Sequence, residues 1–457
     1  MSNFDSPAEL IARFLRANDY TETLEAFIRE AALPDSVGTS TGPLTLETLL
    51  EEKRTFDLSR AFEKLGTENE DDKGWSKGAP AVPSVVSTLP APSNVLHTSF
   101  EHLVEEGEES AADHSLLATT ADRRLNVLLL PSFSLQPSTS SIHESPVLSC
   151  ATLRGGRYLL TSGMSGQLSL LQPGSASPPS HRRDHAKYVV KIATYEPSSE
   201  TTWIATAGWD AKVQLYRPEL SSPNLPAPIG TIALPTNPES LAFVPHPDSG
   251  QPILIVTRRD SSFLYFYSVS SFPTLLGRQN LAPHSTAWVA FTPSAIALCP
   301  TDPSILAIAT SATPHMKLII TRLLIPPPTG DTSAEEQHVS AAAQARADLA
   351  KQDREAAAVL VHCSTLAPQT PYSTPALAWR PDGTGVWVNS DDGVVRGFEA
   401  ATGKLVASLA GHDAATKIRC LAAGKVKTDG GELEEWLVSG GFDQKLIVWR
   451  PEGTAKP

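Results

Sequence analysis

A chain of 457 residues with 41% apolar side chains has material for one large repeat domain and a smaller module beside it. Its 38 prolines and 28 glycines suit many short strands and turns, and they argue against a long helical repeat. A formal charge of -13 sets the overall field against nonspecific binding to nucleic acid or anionic membrane, so nucleic acid is not expected as a direct partner, while local patches remain open to either.

Residues 8–31 carry two helical patterns broken near Asn18 and Asp19. Leu10, Ile11, Phe14 and Leu15 form one apolar face, with Pro7 suited to the first turn and Ser6 placed to cap it. Tyr20 follows the break, Thr21 is placed to cap the second helix, and Leu24, Phe27 and Ile28 form a second face. Helices this short are marginal alone, so both stripes need a partner surface. With Thr23, Glu30 and Ala31 added to these apolar positions and Tyr20, the segment resembles the LisH motif, a dimerising helical module. The resemblance implies self-association through Leu10, Ile11, Phe14, Leu15, Tyr20, Leu24 and Phe27.

Residues 44–65 supply a third amphipathic run, with Leu46, Leu49, Leu50, Phe56, Leu58, Phe62 and Leu65 apolar, so the helical module is expected over 1–65. Composition then turns to charge, glycine and proline, which predicts a flexible linker over 66–81 with Trp75 as its one aromatic anchor.

From residue 82 onward, short apolar runs recur between turn residues. The first set is VLHTSF at 95–100 with two strands around Asp122, and the second is VLSCATL and RYLLTSGMSGQLSLL within 147–171, which lacks an acidic turn residue. In the third, His185 precedes YVVKIATY, and Thr206, Asp210 and Tyr216 follow at fixed offsets. The fourth places Asp260 and Phe266 at the equivalent turn and aromatic positions. The fifth, from about Thr286 to Leu324, begins at WVAF and departs furthest from the pattern. The sixth has a turn at Asp382 and Gly383, then Asp392 and Phe398. The seventh orders Gly411, His412, Ser439, Asp443 and Trp449, with Gly440 and Gly441 read as residues that tolerate positive φ in the turn.

That last order resembles the WD40 repeat, whose resemblance implies a clasp within each blade. The expected clasps are His412, Ser439, Asp443 and Trp449 in the seventh repeat, and His185, Thr206, Asp210 and Tyr216 in the third. Seven repeats over 82–457 predict a mainly β fold, a seven-bladed WD40-like β-propeller with a small N-terminal α-helical LisH module. An insertion at about 326–358 begins as a proline-rich loop and ends in an alanine-rich run, readable as an exposed helix or as disorder. Only PEGTAKP follows Arg450, so the last blade lacks an outer strand, and residues 82–89 are expected to supply it.

No GxGxxG before a helix, no GxxxxGK[ST] loop and no HExxH pair is present, and adjacent Asp391 and Asp392 diverge around a turn. Catalytic, cofactor and metal residues are therefore expected to be none. Cys150, Cys299, Cys363 and Cys420 are far apart, which fits buried thiols in a reducing compartment. Asp5 and Glu9 interrupt the N-terminal stretch, so neither a secretory signal nor a membrane-inserted helix is expected, and cytoplasm or nucleus remains. Together these features predict a non-enzymatic scaffold that self-associates through its N-terminal helices and binds proteins or peptides on the propeller rim. A ubiquitin-ligase scaffold or substrate-recognition subunit, and an enzyme built on a degenerate propeller, are the alternatives.

Overall fold

A computed structural model describes residues 7–39, 45–46, 75, 78–104, 115–136, 142–175, 177–198, 201–218, 224–285, 290–327, 341–428 and 430–452. The chain divides into two compact units, residues 1–74 and 75–457. The third helical run at 44–65, except residues 45–46, and Ser6 lie outside the described residues.

In the first unit, α1 (Pro7–Ala17) and α2 (Thr21–Glu30) pack through Leu10, Ala12 and Leu24, all buried. The break between them is Asp19, whose φ of 57° is left-handed, and Asn18 Nδ2 donates to Phe14 O at 3.0 Å to finish α1. Thr21 is not the cap. It is the first helical residue of α2, and the N-cap is Tyr20, which makes no side-chain capping bond. The following turn folds back on α1: Arg16 Nε donates to Val37 O at 2.9 Å, and Gly38 lies so close that a Cβ there would stand 2.7 Å from the Ala12 carbonyl carbon.

The second unit contains seven four-stranded antiparallel sheets. Blade 1 is Val95–Glu101, Ser115–Thr120, Leu125–Leu129 and Ser134–Leu135; blade 2 is Val147–Leu153, Tyr158–Gly163, Gln167–Leu171 and Ser180–Arg183. Blade 3 is Val189–Ser198, Thr201–Gly208, Lys212–Tyr216 and Gly230–Ala233; blade 4 is Pro238–Pro245, Pro252–Arg258, Phe263–Ser268 and Leu275–Asn280. Blade 5 is Thr292–Leu298, Ile305–Ser311, His315–Arg322 and Val359–Pro368; blade 6 is Leu377–Trp379, Gly385–Val388, Val394–Glu399 and Leu405–Ala410. Blade 7 is Ile418–Lys427, Leu433–Gly441 and Leu446–Arg450, completed by Val82–Val85 from the other end of the chain.

That closure is antiparallel, from Val82 opposite Arg450 to Val85 opposite Ile447, and Val86 N donates to Leu446 O at 2.9 Å. The strand is shorter than the run 82–89, and Pro83 sits on an open edge where a missing amide breaks no second ladder. Second strands are packed on both faces, so Ser115–Thr120 is buried along its whole length and reads as a continuous run without alternation. The apolar cores lie between neighbouring blades: Val95, Leu116 and Ala118 of blade 1 meet Val438, Leu446 and Val448 of blade 7.

Blade 5 departs from the sequence reading. Its first strand is Thr292–Leu298, not WVAF; Trp288 and Val289 lie outside the described residues, and Ala290 and Phe291 precede the strand. Its outer strand, Val359–Pro368, comes after the insertion. The insertion ends in α3 (Ala341–Ala358), exposed from Arg346 to Arg354 and anchored in its last turn, where the buried Glu355 carboxylate accepts Asn280 N at 3.0 Å.

Trp75, placed by composition in the linker 66–81, packs on blade 6. Its ring meets Trp387 at 4.9 Å and lies 4.3 Å beneath the Arg380 guanidinium, which is itself buried and paired with Glu435 at 2.7 Å. A Cβ at Gly385 or Gly397 would each approach the Trp75 ring to 2.3 Å, so two glycines form the floor of its slot.

Candidate interaction face and the clasps behind it

In blade 7 one arrangement of protons satisfies four buried side chains. Trp449 Nε1 donates to Ser439 Oγ at 2.9 Å, Ser439 Oγ lies 2.8 Å from His412 Nε2, and His412 Nδ1 lies 2.9 Å from Asp443 Oδ2. The serine therefore donates to Nε2 and the imidazole carries its proton on Nδ1. Asp443 also accepts Asp413 N at 3.1 Å, which ties the loop before the innermost strand to the next hairpin. Burial holds His412 below its usual value, although Asp443 pulls the other way. Serine, histidine and aspartate in this order match a nucleophile triad, but Ser439 is fully buried and its oxygen is occupied by Trp449. The set is a strut.

Blade 3 repeats it with threonine for the serine and tyrosine for the tryptophan. His185 Nε2 lies 2.8 Å from Thr206 Oγ1 and Nδ1 lies 3.0 Å from Asp210 Oδ1, while Ala186 N donates to Asp210 at 3.0 Å. Burial pushes the Asp210 carboxyl up, but the bonds from His185 and Ala186 outweigh it and leave it below the usual range. Tyr216 occupies the aromatic position and its hydroxyl donates to Asp184 Oδ2 at 3.1 Å.

The glycines of these repeats serve a different purpose from the one read in the sequence. Neither Gly440 nor Gly441 has a positive φ; the left-handed residue of that turn is Gln444, with φ 65°. Gly441 is required because a Cβ would stand 2.9 Å from His412 Nδ1 and 2.6 Å from Asp443 Oδ1, and at Gly208 the same atom would come 2.1 Å from His185 Nδ1.

Blade 2 holds a third clasp that the sequence reading missed. His143 stands four residues before its blade as His185 does, and its Nε2 lies 2.8 Å from Thr161 Oγ1. Ser165 replaces the aspartate, so His143 Nδ1 and Ser165 Oγ are buried without partners, and burial drives the imidazole down to about 4. The available signal was the shared four-residue lead and the glycine at 163, whose Cβ would lie 3.1 Å from His143 Nδ1. Elsewhere the acidic position serves other partners: Asp122 pairs with Arg124 at 3.0 Å and Asp392 with Arg396 at 2.6 Å.

These clasps fix the loops at the end where each innermost strand begins. There the residue after the second strand donates to the residue before the first: Met164 to Pro146 at 3.1 Å, and Trp209 to Tyr188, Arg259 to Asn237 and Phe442 to Lys417 at 2.9 Å. We call this end the entry face. Met164 and Phe442 are exposed there. Tyr188 and Trp209 rings lie 4.6 Å apart, Arg259 stands 4.7 Å over Trp209, and Arg259 Nε pairs with Glu239 Oε1 at 2.9 Å.

In the helical unit Leu10 and Leu24 are buried within the protomer. Ile11 and Tyr20 are exposed, and Phe14, Leu15 and Phe27 are half-buried, so most of the stripe is open. Phe14 and Tyr20 rings lie 6.3 Å apart. The cysteines are free, with Cys150, Cys299 and Cys420 buried, and burial raises Cys420 to about 12 and Cys363 to about 11, beyond the range of a reactive thiol. Among the described residues no helix is long and apolar enough to cross a membrane.

Fold and site together define a repeat propeller preceded by a helical pair. A family model described as "UCP007778, beta-propeller domain" matches residues 97–450, and one described as "UCP007778, LisH domain" matches residues 9–37. The chain belongs to that family. Its LisH and propeller domains are those read in the sequence, while the match does not specify WD40 repeats. No curated protein matches the chain.

Proposed function

We propose that the chain is a non-enzymatic scaffold of the cytoplasm or nucleus, in which LisH modules pair two copies and WD40-type propellers recruit partner proteins. LisH and propeller domains are consistent with protein interaction in general. The observation that carries the reading is the division of labour at the clasps: polar residues that resemble catalytic machinery are consumed in holding the entry-face loops, which remain as the surface open to a partner. The open stripe of Ile11, Phe14, Leu15, Tyr20 and Phe27 supports pairing, since a two-helix unit of this size gains most of its stability by burying such a face. Pairing would present two propellers to one multivalent partner and raise its apparent affinity without new contacts.

Affinity purification of the intact chain and of residues 75–457, followed by rebinding of the purified partners, tests this. Specific proteins should rebind both forms, with weaker apparent affinity for the shorter one. Rebinding to neither would overturn the scaffold reading.

A further inference from the structure

The central opening at the entry face carries a charge imbalance. Just inside that face the innermost strands of blades 1–5 and 7 each bear a one-residue bulge, at Leu96, Leu148, Val190, Glu239, Ser294 and Arg419 in turn. A bulge re-aims its side chain and its neighbour's, and Glu239 and Arg419 come from blades three apart around the ring. Their mutual influence therefore acts across the opening, as does that of Lys191 and Arg419 on His97, which come from blades 3, 7 and 1. Glu239 is engaged by Arg259. Lys191 and Arg419 form no ion pair and no side-chain hydrogen bond among the described residues, and His97 Nε2 is buried without a partner. Two cations without an ion-pair partner thus sit on the innermost strands that surround the opening, in a chain whose net charge is -13.

Resting on the scaffold reading, we propose that this opening receives a carboxylate side chain from an acidic peptide segment of a partner protein, held by Lys191 and Arg419, with a neighbouring apolar residue set against Tyr188 and Trp209. Burial lowers Lys191 and, before the pull of Glu239, Arg419, so each cation gains from an anion that replaces lost hydration. His97, which burial and then Lys191 drive down to about 3, stays neutral and offers a hydrogen bond without adding charge. The Glu239 carboxylate at the same opening favours a singly charged guest over a phosphate dianion. The net negative field disfavours the many phosphates of a nucleic acid strand more than a single carboxylate. Tyr188 and Trp209, half-buried with rings tilted 36° to each other and with Arg259 over Trp209, supply an aromatic pair beside the charge, the composition that concentrates binding energy at interfaces.

The test is selection of a random-peptide library on the full-length protein, followed by anisotropy on the winning peptides, on their Asn/Gln counterparts and on Lys191→Met and Arg419→Gln proteins. Lys191→Met replaces a half-buried cation with a similar apolar shape, so folding, checked by thermal melting, should survive. We expect enrichment of Asp or Glu beside an apolar residue, binding weakened about tenfold or more by either the amide counterparts or either substitution, and weaker binding as salt rises. Peptides without acidic enrichment, or winners indifferent to both substitutions, would overturn the proposal and leave the scaffold reading standing. Failure to enrich any peptide would overturn the proposal and remove peptide capture from the scaffold reading.

Discussion

Ser439 shows how much one side chain holds in this fold. Replacing it with alanine leaves Trp449 Nε1 and His412 Nε2 buried and unpartnered, so we expect Ser439→Ala to cost about 2–3 kcal/mol in urea unfolding. Ser165→Asp should do the reverse in blade 2, giving His143 Nδ1 the carboxylate that Asp210 gives His185 and adding about 1 kcal/mol. An unchanged Ser439→Ala midpoint would remove the strut. The same histidine sets a pH dependence. His143 titrates near 4 in the folded chain against 6.5 when unfolded, because of burial and then of His181. Between those values only the unfolded chain binds the proton. The stability held by neutral His143 is whole above pH 6.5 and falls as pH drops, by up to about 1.4 kcal/mol per pH unit. His97, His362 and His412 shift the same way, so the comparison must isolate one group. Urea midpoints of the parent and His143→Gln between pH 7 and 4.5 should diverge in slope, and parallel slopes would contradict the assignment.

At the scale of elements, the order of His412, Ser439, Asp443 and Trp449 was legible because those residues fall on one hairpin and its lead-in loop. His143 was not, because Ser165 removes the acidic mark that made its counterparts visible. Gly441 was legible as a turn glycine but not in purpose, since what forbids a Cβ there is the clasp itself, the His412 ring and the Asp443 carboxylate, and not a positive φ. Trp75 read as linker because its partners, Trp387 and Arg380, stand some 300 residues away in the chain. The closing strand was legible from a deficit: blade 7 ends at Arg450 without an outer edge, and Val82–Val85 fills it. Hydrogen exchange should find Ser84 and Val86 amides protected with blade 7, and removal of residues 1–90 should expose Leu446–Arg450. Undiminished protection of that strand after truncation would show that the ring holds without its N-terminal edge.

The whole molecule joins a closed ring, whose clasp residues are spent on its own loops, to a helical pair whose apolar stripe is half open. The ring brings the two ends of its chain into one blade, so its stability is shared between segments far apart in sequence. The helical pair lacks that self-sufficiency. Ile11 and Tyr20 are exposed, and Phe14, Leu15 and Phe27 are covered only in part. Pairing of two chains through this stripe is the claim on which the scaffold depends, and sedimentation equilibrium tests it most directly. At micromolar concentration the intact protein should sediment at twice the mass of one chain. Phe27→Ala should weaken the dimer by about 3 kcal/mol, roughly two orders of magnitude in dissociation constant. A single-chain mass for the intact protein throughout the micromolar range would contradict the account.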